Sequence, residues 1–65
     1  DKNVEMLILD FCKDEKTVFE IMEYIGHKNR TRFRRDYIKP LVESGKLKMT
    51  MPNKPKSSNQ KYIKA

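Results

Sequence analysis

The spacing of the apolar residues changes once along the chain, and this change limits the folds that are open to it. Up to Gly45 the apolar residues recur at the three- and four-residue intervals of amphipathic helices. Beyond Gly45 they alternate with polar residues, as in a strand with one buried face. Because the chain has only 65 residues, both patterns must share one small core. The sequence therefore predicts a single α+β domain over residues 1–65, with helices first and a β-hairpin last.

Three helices are predicted before the hairpin. The first covers residues 4–11, and Asn3 or Asp1 can cap it. The second begins at a capping box formed by Thr17 with the acid three residues later, and it ends before Gly26. The third begins at Asn29, or at one of the residues beside it, and ends at Gly45.

The third helix carries two apolar stripes that are out of phase. The stripes consist of Phe33 with Tyr37, and of Ile38 with Leu41 and Val42. Pro40 has no backbone N–H, clashes with the carbonyl of Asp36 and disfavours helical angles at Lys39. We therefore expect a kink or break near residues 36–40.

The hairpin is predicted from residues 47–51 and 61–64, which enclose a polar loop. The side chains expected in the core are Leu7, Phe11, Ile21, Ile25, Phe33, Tyr37 and Leu41. The rings of Phe33, Tyr37 and Tyr62 have a second interpretation, as a platform on which the bases of single-stranded nucleic acid stack. This interpretation is less favoured than core packing. The lone Cys12 is expected to be a buried hydrophobe, and His27 a turn residue rather than a metal ligand.

The charge is divided unevenly between the two parts of the chain. Residues 1–27 contain three basic and seven acidic residues, whereas residues 28–65 contain twelve basic and two acidic residues. A net charge of +10 in the second part indicates either a disordered tail or a folded surface for a polyanion. The regularly spaced apolar residues of that part favour a folded, basic surface.

The third helix supplies most of this charge. Four cations at helical spacing form a predicted basic stripe, made of Lys28, Arg32, Arg35 and Lys39, and flanked by Arg30 and Arg34. Such a face repels itself in the free protein, and a bound polyanion relieves the repulsion. Arginine also suits guanine edges and phosphates. The alternative interpretation is a merely solvated basic face.

The loop of the hairpin adds a second candidate contact. It contains two cations and several small hydrogen-bond donors that can reach phosphate oxygens: Lys54, Lys56, Ser57, Ser58, Asn59 and Gln60. A flexible hairpin tip that happens to be basic explains this composition about equally well.

Three runs of sequence carry a family resemblance. Residues 30–45 read RTRFRRDYIKPLVESG, residues 49–55 read MTMPNKP, and residues 58–62 read SNQKY. These runs resemble the C-terminal winged-helix domain of bacterial RecG-related ATP-dependent DNA helicases and of divergent-AAA, AlbA-type transcriptional regulators. A very similar tail closes many Fic-family proteins. The resemblance implies a winged helix-turn-helix fold and a nucleic-acid-binding role for the matching residues, which are Arg30, Thr31, Arg32, Arg34, Arg35, Lys54, Lys56, Ser58 and Asn59.

The leading hypothesis is therefore a double-stranded DNA-binding module, with the third helix in the major groove and the wing on the phosphate backbone. We expect it to be a monomeric C-terminal fragment of a larger bacterial, cytoplasmic helicase-related or regulatory protein. The alternative is a module that docks on a partner or on its own parent chain, such as the tail of a Fic-family protein. No enzymatic activity, cofactor, metal or membrane contact is expected of this domain.

Overall fold

The computed structural model of the chain describes residues 2–54 and 56–65. Its elements, in chain order, are α1 (Lys2–Phe11), β1 (Lys16–Thr17), α2 (Val18–Ile25), α3 (Arg30–Phe33), a π-helical turn (Arg34–Ile38), α4 (Lys39–Glu43), β2 (Leu47–Met49) and β3 (Lys61–Lys64). The segment from α3 through the π-helical turn to α4 is helical throughout, and it is called the basic helix below. None of the described helices is long and apolar enough to cross a lipid bilayer.

The α+β class is confirmed, but the sheet differs from the predicted two-stranded hairpin. Its described part has three antiparallel strands in the order β1-β3-β2, with Lys16 opposite Tyr62 and Leu47 opposite Lys64. Strand β1 is only two residues long, which is too short to show alternation in the sequence. Strand β2 ends at Met49 rather than at residue 51 because the side chain of Gln60 pairs with the backbone beyond it.

The predicted boundaries of the second helix are confirmed. The Thr17 hydroxyl accepts a hydrogen bond from the Glu20 N–H at 3.2 Å, and the Glu20 carboxylate accepts one from the Thr17 N–H at 2.9 Å. Gly26 ends the helix at a φ of 86°, which is the left-handed region that favours glycine.

The caps of the other two predicted helices differ in outcome. Asn29 caps α3, as predicted, by accepting a hydrogen bond from the Arg32 N–H. Asn3 lies inside α1 rather than at its cap, and Asp1, the alternative cap, lies outside the described residues.

The capping box predicts a loss of stability in acid. The hydrogen bond from the Thr17 backbone lowers the pKa of Glu20 below its ordinary value of 4.5. Because the folded-state pKa is lowered, the stabilisation is complete above the ordinary pKa and is lost as pH falls through the folded-state pKa. Thermal unfolding followed by circular dichroism should therefore show a smaller fall in Tm below pH 4.5 for Glu20→Gln than for the wild type. Equal falls in both proteins would contradict this role of Glu20.

The π-helical turn resolves the two apolar stripes of the basic helix. The Lys39 N–H donates to the Arg34 carbonyl, five residues back, so the turn accommodates one extra residue. Of the kink or break expected near residues 36–40, the break is absent, and the irregularity that reconciles the two stripes is this turn at Arg34–Ile38. The expectation that Lys39 leaves helical angles is wrong, because its φ and ψ are −58° and −47°. The wide turn places both Phe33 and Ile38 in the core. Pro40, which has no N–H to donate, follows the turn in α4.

The core is formed by helix and sheet residues together. Its buried apolar members are Ile8, Cys12, Ile21, Met22, Phe33, Ile38, Leu41, Leu47 and Tyr62. The prediction was wrong for Leu7, which is 45% exposed because the inward line is formed by Ile8 in α1 and by Cys12 directly after it. Three other predicted core residues are only partly buried, namely Phe11, Ile25 and Tyr37. Cys12 is buried as expected, and its burial raises the pKa of the thiol to about 11.

Candidate functional site

A groove of about 650 Å³ lies between the basic helix and the hairpin. Its lining residues are Arg30, Thr31, Arg34, Arg35, Ile38, Lys39, Val42, Glu43, Met49 and Lys56. The volume falls within the range of ordinary ligand pockets. The name helix–hairpin groove is used for this feature below.

The groove has an apolar floor inside a cationic rim. Ile38 is buried, and Val42 and Met49 are half-buried, so these three side chains form the floor. The rim carries five cations, which are Arg30, Arg34, Arg35, Lys39 and Lys56. Glu43 is the one acid among the described lining residues. The arrangement can therefore accept a ligand that offers apolar surface and negative charge together.

The π-helical turn explains how so many side chains of one helix reach the same groove. The lining residues of the basic helix follow two rows with four-residue steps, Arg30–Arg34–Ile38–Val42 and Thr31–Arg35–Lys39–Glu43. In a regular α-helix such rows drift around the axis, because one turn takes 3.6 residues. The wider turn at residues 34–38 reduces this drift and keeps both rows on one face.

The groove brings together half of the residues predicted to contact DNA. The residues that line it are Arg30, Thr31, Arg34, Arg35, Lys39 and Lys56. Those outside its lining are Lys28, Arg32, Lys54, Ser57, Ser58 and Asn59. The predicted stripe is divided because it was based on regular α-helical spacing from Lys28 to Lys39, whereas Lys28 precedes the Asn29 cap and a π-helical turn follows Phe33.

Two contacts shape the electrostatics of the rim. Arg35 Nε donates to the Asp36 carboxylate at 3.1 Å, so part of the expected self-repulsion is compensated within the helix. Both partners are exposed, and such a pair contributes about 0–1 kcal/mol. The guanidinium carbon of Arg30 lies 5.3 Å from the ring centroid of Phe19 on α2. Phe19 was not among the predicted site residues, although the sequence places it outside the apolar stripe of α2.

The β2–β3 loop is held by a buried glutamine. Gln60 is 2% exposed, so the expectation that its side chain reaches a phosphate is wrong. Its carboxamide accepts from the Met51 N–H at 2.8 Å and donates to the carbonyls of Met51 and Lys54. The Ser57 hydroxyl accepts from the Asn59 N–H at 3.1 Å within the loop. Lys54 and Lys56 are exposed on the same loop, and Pro55 lies outside the described residues.

The described residues include no cluster of histidine, cysteine and acidic side chains that could hold a metal ion. His27 lies in the turn before the basic helix, where its Nδ1 accepts from the Asn29 N–H at 3.3 Å. Its ring packs 5.2 Å from the ring of Phe33. These contacts give His27 a structural role in the turn.

Comparison with known proteins identifies relatives of this fold. The family model for the Filamentation induced by cAMP protein Fic-like, C-terminal domain matches residues 2–63. The chain also aligns over 100% of its length with the crystal structure of a Fic family protein from Desulfovibrio desulfuricans G20, with a TM-score of 0.81 and 28% identity. It covers 20% of that protein's chain. A search of curated proteins gave no match. These results support the Fic part of the resemblance and give no support to the RecG-related or AlbA-type part.

Proposed function

Because the chain belongs to the Filamentation induced by cAMP protein Fic-like, C-terminal domain family, we propose that it is a non-catalytic docking module of a Fic family protein. In this proposal the basic helix and the hairpin form a winged helix, with the β2–β3 loop as the wing. The helix–hairpin groove binds a protein segment that carries apolar and acidic side chains on one face. The chain spans a fifth of the aligned Fic family protein. The docked segment therefore belongs either to the parent Fic family chain or to a separate partner protein.

The observation that carries this proposal is the apolar floor of the groove. Val42 and Met49, the half-buried members of the floor, offer apolar contacts that a phosphodiester backbone cannot use, because protein–DNA contacts of a rim like this are made to charged phosphate oxygens. An amphipathic helix uses both features, since its apolar side chains fill a groove and its acidic side chains meet the surrounding cations.

Duplex DNA is the second candidate partner, and one observation favours it. Lys28 and Arg32 are exposed at the start of the basic helix and Lys54 on the loop, and all three lie outside the groove. A docked acidic segment leaves them unused, whereas a duplex lying across the helix and the loop contacts them. In that case binding falls steeply with salt, with a log–log slope of about −0.9 for each phosphate contact.

A floor substitution separates the two partners. Val42→Ser removes apolar contact without changing charge, and we expect it to weaken docking about threefold, since docking buries the exposed half of a side chain whose full burial is worth about 1.5 kcal/mol. The measurement is fluorescence anisotropy with a labelled peptide that has leucine at helical spacing and glutamate elsewhere. A short labelled duplex is titrated in parallel.

The controls lie in the same chain and in the same peptide. Lys13→Ser changes an exposed cation between α1 and β1, away from the groove, and should leave peptide binding unchanged. A peptide with serine in place of leucine should bind weakly. If the wild type binds the duplex and not the peptide, and Arg32→Glu combined with Arg35→Glu abolishes that binding while Val42→Ser does not, DNA is the partner and the docking proposal fails.

A further inference from the structure

Phe19 is a large apolar residue with half of its surface in solvent. It is 51% exposed and lies in the first turn of α2, between the two residues of the capping box, Thr17 and Glu20. The side chain of Arg30, the first residue of the basic helix, reaches across to it, with the guanidinium carbon 5.3 Å from the ring centroid. The ring therefore has a specific contact with the one element that forms most of the groove.

Arg30 belongs to the groove as well as to this contact. It stands at the α2 end of the rim, where it begins the row that continues through Arg34 to Ile38. The neighbouring Arg35 pairs with Asp36, whereas no carboxylate among residues 2–54 and 56–65 pairs with Arg30. A guanidinium that lies over an aromatic face keeps its N–H donors in its own plane and available to a ligand.

We propose that Phe19 and Arg30 together form a carboxylate-binding subsite at the α2 end of the helix–hairpin groove. Arg30 binds an acidic side chain of the docked segment, and Phe19 is the positioning residue that holds the guanidinium in place. An arginine that is ordered before binding loses less conformational freedom when the ligand arrives. The subsite rests on the proposed docking function and accounts for the exposure of Phe19.

Removing the ring should weaken the binding of the leucine–glutamate peptide by about two- to fivefold, which is the range of a cation–π contact at an exposed position. The variant is Phe19→Leu, and Phe19→Trp should restore wild-type affinity or exceed it. The matched control is Tyr24→Leu. Tyr24 is also on α2 and also 51% exposed, but it lies away from the groove, where its ring stacks on that of Phe11 with the centroids 4.3 Å apart. Combined with Arg30→Ala, Phe19→Leu should have no further effect.

A second measurement reports on the contact without a ligand. In the NMR spectrum of the free protein, the ring current of Phe19 should shift the Arg30 Hε resonance, and Phe19→Leu should abolish this shift. A protein that binds the peptide with equal affinity before and after Phe19→Leu overturns the subsite but leaves the docking function intact. If the wild type binds no peptide, the subsite and the docking function are both overturned. The substitution Val42→Ser then has no peptide binding to weaken.

Discussion

Replacing Phe33 by alanine should destabilise the domain by about 3–5 kcal/mol, the usual cost of removing a buried phenylalanine. Phe33 has no exposed surface, and its ring packs 5.4 Å from Tyr37 and 5.2 Å from His27. A chain of this length holds roughly 3–10 kcal/mol of stability in total, at about 0.05–0.15 kcal/mol per residue. The variant should therefore lose from about a third to all of the stability of the domain.

Urea denaturation followed by circular dichroism measures this loss. Phe19→Ala provides the matched control, because it removes the same side chain from a half-exposed position, and it should cost less than about 1 kcal/mol. A loss of only a few tenths of a kcal/mol for Phe33→Ala would place the ring at the surface, where it could stack on a base. The core described here would then be wrong.

The second large effect is expected at Gln60. The substitution Gln60→Leu keeps the approximate volume but removes three hydrogen bonds to the backbone of Met51 and Lys54. Unpaired polar groups in a buried position cost about 1–3 kcal/mol each, and water at the loop surface recovers part of this. We expect a net loss of about 2–3 kcal/mol and a fall in Tm of roughly 10–20 °C.

Hydrogen exchange locates the effect of that substitution. The Met51 amide, which donates to the Gln60 carboxamide oxygen, should lose its protection in Gln60→Leu. The neighbouring substitution Asn59→Ala changes an exposed side chain and should leave both Tm and exchange nearly unchanged. An equally protected Met51 amide in Gln60→Leu would show that the loop is held by other contacts.

The parts of the fold that were predicted correctly depend on local chemistry. The Thr17–Glu20 capping box, the left-handed Gly26 and the Asn29 cap each involve residues within four positions of one another. Such interactions are encoded by residue type and spacing alone. The two hairpin strands were also predicted, the first from the alternation of Leu47, Met49 and Met51 with polar residues and the second as a short segment, residues 61–64, after the polar loop.

The parts that were missed depend on the tertiary structure. Strand β1 forms because β3 provides hydrogen-bonding partners for its backbone. Its two residues are too few to show an alternating pattern of apolar and polar residues in the sequence. The π-helical turn changes which cations share a face, so the predicted stripe included Lys28 and Arg32 and overlooked Val42 and Met49 as the floor of a groove. The groove lies between a helix and a hairpin, so its rim and its floor can be identified only once the two elements are packed together.

The family match changes the weight of the two functional hypotheses. The basic charge alone favoured DNA, because a net charge of +10 over residues 28–65 is typical of a surface for polyanions. The match to a Fic-like C-terminal domain and the apolar floor of the groove favour a module that docks on protein. Charge then serves to select acidic segments and to orient them.

The most direct test of the docking claim is chemical-shift mapping with the ¹⁵N-labelled domain. Titration with the leucine–glutamate peptide should produce its largest shifts at the amides of Ile38, Val42 and Met49, on the floor of the groove. These shifts should persist at salt concentrations that abolish any effect of a short duplex, because apolar contacts are not screened. Shifts confined to Lys28, Arg32 and Lys54, seen with the duplex and absent with the peptide, would contradict the docking function.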